Sequence, residues 1–385
     1  MNNLKILLCI PAVLLVADFA IAQTWTVTRA PMNLWYSVAS SADGNKLVAV
    51  IGGPSWTGQI YTSTNGGLDW NSKTAPVLHW TSVASSADGS RLATVADPGS
   101  IYTSTDSGAT WSTNNVPANS WRSMASSADG LKLAAVFFSN RIYLSADGGT
   151  TWTSNTTPVA DLHSVACSAD GSNLVAGNNV GRIIISTNSG ATWTQSNFTL
   201  SGDVISLASS ANGAKLTAVT PATGIYISTN GGNTWALCNL PSNIISWSSA
   251  ASSADGIRLV AVSGKNGIYS SMNSGMTWVS NSAPASVWQA VASSADGSKL
   301  VAVAWNGGIW ISQTTPTPQL NIVPANPDLK FSWVVPSTNF ALQQSSDLGS
   351  WTDVTNTPVL NLTNLQNEIT LSPTNRSGFY RLKTP

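Results

Sequence analysis

From residue 35 to residue 312 the apolar and polar positions of the chain follow one order, written out repeatedly. A segment such as WYSVASS (35–41) alternates small and apolar residues and suits a strand buried on both faces. An Asp-Gly pair follows, which favours a tight hairpin because glycine takes a positive φ at little cost. Next come a continuous apolar run such as KLVAVI (46–51), a loop that differs between copies, and a third short strand such as QIYTS (59–63). The turn SSADG stands at 40–44, 85–89, 126–130, 252–256 and 293–297, as CSADG at 167–171 and as SSANG at 209–213. Its Asp or Asn falls at 43, 88, 129, 170, 212, 255 and 296, a period of 41 to 45 residues, and periods of that length mark propellers and solenoids.

The third strand runs into a second repeated turn: STNGGLDW (63–70), STDSGATW (104–111), SADGGTTW (145–152), STNSGATW (186–193), STNGGNTW (228–235) and SMNSGMTW (271–278). These residues resemble the Asp-box, the S-x-D-x-G-x-T-W repeat of the sialidase-like superfamily, with Asp kept at Asp106 and Asp147 and Asn in the other four. The resemblance implies a lock between the third and fourth strands of a propeller blade, remote from any active site. Six such turns against seven SSADG turns leave the last copy short, since it stops at GGIWIS (307–312). TWTVTRAP (24–31) has the Trp-to-Pro spacing of TWTSNTTP (151–158) and can supply the missing outer strand. The expected fold is therefore all-β: a seven-bladed β-propeller over 23–312 closed by the N-terminal strand. SSADG-x-K-L also looks like the corresponding turn of WD-repeat propellers, without their Trp-Asp signature. After a Pro/Thr-rich linker (313–319), residues 320–385 lose the repeat, and LKFSWVV, FALQQSS, WTDVT, NEITLS and GFYRLK predict a small C-terminal antiparallel β-sandwich.

Composition narrows the function. Charged residues make up 9% of the chain and formal net charge is zero, so no electrostatic footprint for nucleic acid or an anionic membrane is present. Residues 1–22, with Lys5, an apolar run and Ala20-Ile21-Ala22, read as a cleavable secretion signal, which places the product outside the cytoplasm. No later stretch has the roughly 18 apolar residues of a membrane span. Cys167 and Cys238, the two cysteines beyond the leader, are expected to be free thiols, since inner and outer strands lie too far apart for a bridge.

In a propeller blade the first-to-second and third-to-fourth turns share one face, so both copied turns are scaffold, with the Asp of SSADG a turn former and the base after it (Lys46, Arg91, Lys132, Lys215, Arg258, Lys299) a solvated surface residue. Function is expected on the opposite face, where the loops diverge and carry the non-periodic aromatics Trp56, Phe137, Phe138 and Trp305. The inner strand opens with Trp at 35, 80, 121, 247 and 288, but with Leu162 and Val204 in the fourth and fifth copies. The residue before that site varies and includes His79, Asp161 and Asp203, with His163 and Arg182 close by in sequence. The candidate ligand-binding set is Trp56, His79, Asp161, His163, Arg182, Asp203 and Trp305. His79 and His163 lack ligand-spaced partners, so neither a metal nor another cofactor is expected.

Three functions follow. The first is an exported non-catalytic propeller that binds a glycan or protein on its divergent face. The second is a glycoside hydrolase with Asp161 and Asp203 as paired carboxylates, as the resemblance to xyloglucan-cleaving propellers allows. The third is a cell-surface display protein attached through its last 66 residues. Sialidase chemistry, which the resemblance ties to a Tyr activated by Glu, is disfavoured because the only Glu in the chain is Glu368, outside the repeats. The first reading suits a chain poor in titratable groups and rich in Ser, Thr, Asn and Trp.

Overall fold

The computed structural model describes residues 23–53, 55–240, 246–314, 320–325, 328–334, 340–372 and 378–383; the segment expected to be a leader (1–22) and most of the expected linker (313–319) lie outside them. Among the described residues every regular element is a strand. The repeats form seven four-stranded antiparallel sheets, numbered here in chain order. The first contains Trp35–Ser40, Leu47–Ile51, Ile60–Ser63 and Asn71–Ser72. The inner strands of the next six are Trp80–Ser85, Trp121–Ser126, Leu162–Cys167, Ser206–Ser209, Trp247–Ser252 and Val287–Ser293. The outer strand of the seventh sheet is Thr26–Val27, whose residues pair with Ile311 and Trp310, so the N-terminal segment completes the last copy.

Why the sheets form a ring is visible at the SSADG turn. The second serine and the aspartate fold the turn on itself: Ser41 Oγ donates to Asp43 Oδ1 at 2.6 Å, while the Asn45 and Lys46 N–H groups donate to Asp43 and Ser41 Oγ. That leaves the intervening alanine's N–H and C=O pointing sideways. Ala42 donates to Ala87, Ala87 to Ala128, and so on through Ala169, Ala211, Ala254 and Ala295 back to Ala42, at 2.7–2.8 Å throughout. The basic residue that follows six of the seven turns takes part as well, contrary to its reading as solvated surface. A Cβ on Gly44 would stand 2.8 Å from Lys299 Cβ, and one on Gly89 2.7 Å from Lys46 Cβ, so each basic stem lies across the next sheet's glycine. Gly44 is thus required twice, for its φ of 69° and for this approach.

The apolar core is divided into wedges between neighbouring sheets. One holds Trp35, Ile51, Val303 and Ile309; the next holds Val48, Ile60, Trp80 and Val95's neighbour Ala96. Second strands such as Leu47–Ile51 are buried along their whole length, as a continuous apolar run requires, while the outer strands are short and exposed. The inner-strand Trp side chains are 0–2% exposed and meet a third-strand aromatic edge-on, as with Trp35 and Tyr61 at 5.2 Å and Trp288 and Trp310 at 6.1 Å.

The second repeated turn packs on the first, so both copied turns share one face: Gly66 N–H donates to Asn45 O, and Gly148 N–H to Leu131 O. Within it the serine hydroxyl and the Asn or Asp carboxyl-type oxygen gather the turn's N–H groups, and Trp70 Nε1 donates to Gly67 O at 3.0 Å. Where the residue is Asp it is strongly acidic. Asp106, held by Thr110 N–H, Thr110 Oγ1 and Ser104 Oγ, has its pKa lowered to about 2, as has Asp147 through Thr151.

Residues 321–383 form a four-stranded sheet (Asn321–Ala325, Asp328–Val334, Gln366–Leu371, Val359–Asn361) and a three-stranded one (Thr352–Asp353, Ala341–Ser345, Phe379–Lys383). Phe331, Trp333, Ile369 and Leu342 pack together between them. The strands at 321–325 and 359–361 were not expected from the sequence pattern. Leu365, at the tip of the 362–365 turn, reaches the serines and alanines that ring the channel mouth on the copied-turn face, beside a cavity of about 170 Å³. Cys167 and Cys238 are free thiols.

Two outcomes follow. Deleting 24–31 strips the seventh sheet of its outer strand and removes Trp25, which is 7% exposed and packs 6.5 Å from Trp288; Trp25→Ala alone is expected to cost about 3–5 kcal/mol. An unchanged melting curve for the deletion would reject closure by this segment. Because the folded pKa of Asp106 lies below the usual carboxylate value of 3.8, its contribution is present above that value and is lost as pH falls through about 2. Asp106→Asn, which copies four of the other turns, is expected to fold and to flatten the acid limb of stability between about pH 4 and pH 2, read by denaturation across pH.

Candidate functional site

At the divergent end of the inner strand the chain makes the same irregularity in six sheets. Register jumps between Trp35 and Ser37 in the first, and at the equivalent place in the second, third, fourth, sixth and seventh, so one residue is extra. Such bulges re-aim the extra side chain. The residues concerned are Tyr36, Thr81, Arg122, His163, Ser248 and Gln289. The small ones tie neighbouring sheets together: Thr81 Oγ1 donates to Trp121 O at 2.9 Å and Ser248 Oγ to Trp288 O at 2.8 Å. The large ones build a site.

Arg122 Nη1 lies 3.1 Å from Asp97 Oδ2, with side-chain exposures of only 19% and 8%. Asp97 is set in place by its backbone N–H, which donates to His79 O at 2.8 Å. The Arg122 guanidinium also covers the Phe138 ring at 4.3 Å, a cation–π contact, and Phe138 meets the His163 ring at 5.3 Å. His163 Nδ1 is 2.7 and 2.9 Å from the two carboxylate oxygens of Asp203. Toward the other side, Tyr36 meets Trp305 edge-on at 6.2 Å, over Gly53, where a Cβ would stand 2.8 Å from the Tyr36 ring. Burial pushes the Tyr36 phenol up, with Arg122 lowering and Asp97 raising it, which places all three in one electrostatic neighbourhood. Arg122 Nε is a buried donor with no acceptor among the described residues. Asp97, Arg122, Phe138, His163 and Asp203 thus form one contiguous arc, drawn from four sheets or their approaches, with both charges and an aromatic face at hand.

Of the seven candidates read from the sequence, His163 and Asp203 are joined directly, Trp305 borders Tyr36, and His79 acts through its carbonyl on Asp97. Asp161 is exposed with φ 58°, and its carbonyl accepts from Asn179 N–H, so the Asp203 carboxylate is partnered by His163 while Asp161 serves a turn. Arg182 opens a third strand and pairs with Thr199, two strands out from the inner one. Trp56 is 53% exposed in its loop. Phe137 turns inward onto Trp121 at 5.1 Å, and Phe138 alone of that pair reaches the site. Sequence reasoning missed Tyr36, Asp97 and Arg122. Their signal was available one position after the inner Trp, where the copies vary most in size and charge. Among the described residues no cluster of three His, Cys, Asp or Glu is placed to hold a metal.

No protein-family model and no curated protein matches the sequence. Solved structures do. YCF48 from Cyanidioschyzon merolae superposes with a TM-score of 0.58 at 16% identity, over 76% of this chain and 98% of that one. YCF48 bound to D1 peptide gives 0.57 at 17%, over 77% and 97%. A chain of the Mitotic Checkpoint Complex gives 0.61 at 15%, over 76% and 91%. The chain folds as a β-propeller. At these identities the likeness concerns the fold, and the arc is a property of this chain's own residues.

The buried pair offers a direct check on the geometry. Asp97→Asn keeps the shape but leaves the Arg122 charge uncompensated, an expected loss of about 3 kcal/mol in chemical denaturation. Asp161→Asn, at an exposed turn, is expected to change stability by less than about 0.5 kcal/mol.

Proposed function

We propose that the protein is an exported, seven-bladed Asp-box propeller that binds a peptide segment of a partner protein at the divergent mouth of its channel. The observation that carries this reading is the arc from Asp97 to Asp203, where the Arg122 side chain, 19% exposed, lies over the Phe138 ring. The guanidinium has more N–H donors than Asp97 uses, and beside an aromatic face they are a place for a ligand's carbonyl or carboxylate oxygen. Phe138, 42% exposed, and Trp305 supply flat apolar surface of the kind that anchors peptide side chains. At the other mouth Leu365 stands among the serines and alanines that line it. The propeller neighbours lend support from outside the chain, one being YCF48 bound to D1 peptide and another a member of the Mitotic Checkpoint Complex. In this reading residues 23–312 are the propeller, 320–385 a β-sandwich that sits over the copied-turn mouth, and the leader at 1–22 directs export.

Selection of a random-peptide library on the full mature chain, run beside a glycan array, tests the proposal. Enriched peptides are expected to lose at least tenfold in affinity with Arg122→Ala or Phe138→Ala and to be unaffected by Asn65→Asp on the copied-turn face. Peptides insensitive to both arc variants, or retention of glycans alone, would overturn it. Cleavage of a polysaccharide that Asp161→Asn/Asp203→Asn abolishes would replace it with the hydrolase.

A further inference from the structure

On the copied-turn side, neighbouring sheets meet along a cleft that recurs around the ring with equivalent residues in its walls. Between the seventh and first sheets the lining includes Val301, Ile311, Leu47 and the Lys299 stem, and only about 20 Å³ stays open. Between the sixth and seventh, with Val260 and Arg258 in the same roles, about 10 Å³ does. Between the third and fourth sheets the cleft opens to about 310 Å³.

The sequence accounts for the difference. Ala134 stands where the seventh sheet has Val301, which removes two methyl groups from the floor, and Ala146 replaces Gln313 at the rim. Cys167 replaces Ser40, exchanging a hydroxyl for a weakly polar thiol that burial keeps protonated, its pKa pushed up to about 12. Lys299 closes its cleft by reaching Asn45 Oδ1 at 2.7 Å, whereas Lys132 Nζ donates to Ser189 Oγ at 3.2 Å and makes no ion pair among the described residues. The next cleft round, between the fourth and fifth sheets, also opens, to about 300 Å³, but Asn173 takes the place of the base there and Asn212, Asn230 and Asn233 line it. The third-to-fourth cleft therefore combines an apolar floor with one ammonium group at its edge.

We propose that this cleft is a binding site for a small amphipathic carboxylate of the medium-chain fatty-acid type, with its hydrocarbon on Ala134, Leu144, Leu174 and Cys167 and its carboxylate at Lys132 Nζ. An apolar cavity of about 150 Å³ admits benzene, so twice that volume takes a chain of roughly eight to ten carbons. Lys132 is the one cation lining the cleft among the described residues; its field also reaches Asp170, and a carboxylate at Nζ gains a charge-assisted bond that an alcohol cannot make. This site lies at the opposite end of the sheets from the peptide-binding arc and does not depend on it.

Decanoate below its micelle concentration, with decanol and acetate as controls, serves as the probe on the full mature chain. Decanoate is expected to raise the melting temperature and to bind with one-site stoichiometry in equilibrium dialysis; acetate is expected to do neither. Ala134→Val, which restores the seventh-sheet floor, is expected to weaken that binding at least tenfold while melting no lower than the parent. Lys132→Met, which keeps the stem over Gly171, is expected to weaken decanoate at least tenfold and leave decanol unchanged. No binding of decanoate by the parent, or binding that survives both substitutions, would overturn the proposal.

Discussion

The closed ring of hydrogen bonds through Ala42, Ala87, Ala128, Ala169, Ala211, Ala254 and Ala295 is the constraint from which the other features follow. Each alanine commits its N–H to one neighbouring sheet and its C=O to the other, so the ring is satisfied only when all seven turns are present together. A single amide bond of this kind contributes about 1 kcal/mol net, and the apolar wedges between sheets supply far more. What the ring adds is closure and register. A slip of one residue at any sheet would strand two buried polar groups and move the Ser–Asp hub that holds each alanine in place.

Because the copied turns are used up in this way, the opposite ends of the strands are free to differ. The bulge after the inner-strand Trp is the device that exploits this freedom. It sets one residue outside the ladder in each of six sheets, where Thr81 and Ser248 stitch the scaffold and Arg122 and His163 instead reach acids on adjoining loops. The same strands thus carry a uniform end and a variable end, and the wedges between them transmit nothing but position.

The fourth sheet departs furthest from the common pattern, at both ends. Leu162 replaces the inner-strand Trp, and Gly177 replaces the second-strand Val, where a Cβ would stand 2.6 Å from Val204. Cys167 and Asn173 replace the Ser and the base. Leu162 and Asn173 are smaller than the Trp and the base they replace, Val204 fills the space over Gly177, and it is at this sheet that His163 and Asp203 meet at one end and the two large clefts open at the other. Relaxed packing and chemical variety coincide because a site not needed for closure can lose volume without breaking the ring.

By itself the sequence determined the strands of the repeats, the two turns and the outer strand contributed by residues 24–31, since each rests on local periodicity, turn chemistry or a count of copies. It also pointed to the divergent end as the place for chemistry and named His163, Asp203 and Trp305 there. Only the tertiary structure decided which of those residues meet. Asp97 and Arg122 are 25 residues apart on different sheets, and no local pattern links a loop acid to a bulge arginine. Asp161 and Asp203 occupy equivalent places in their copies, yet a positive φ at one and a histidine beside the other give them different surroundings. The bases after SSADG look like surface residues in any single copy. Their role across the next glycine exists only between copies, and that distance is set by ring closure rather than by neighbours along the chain.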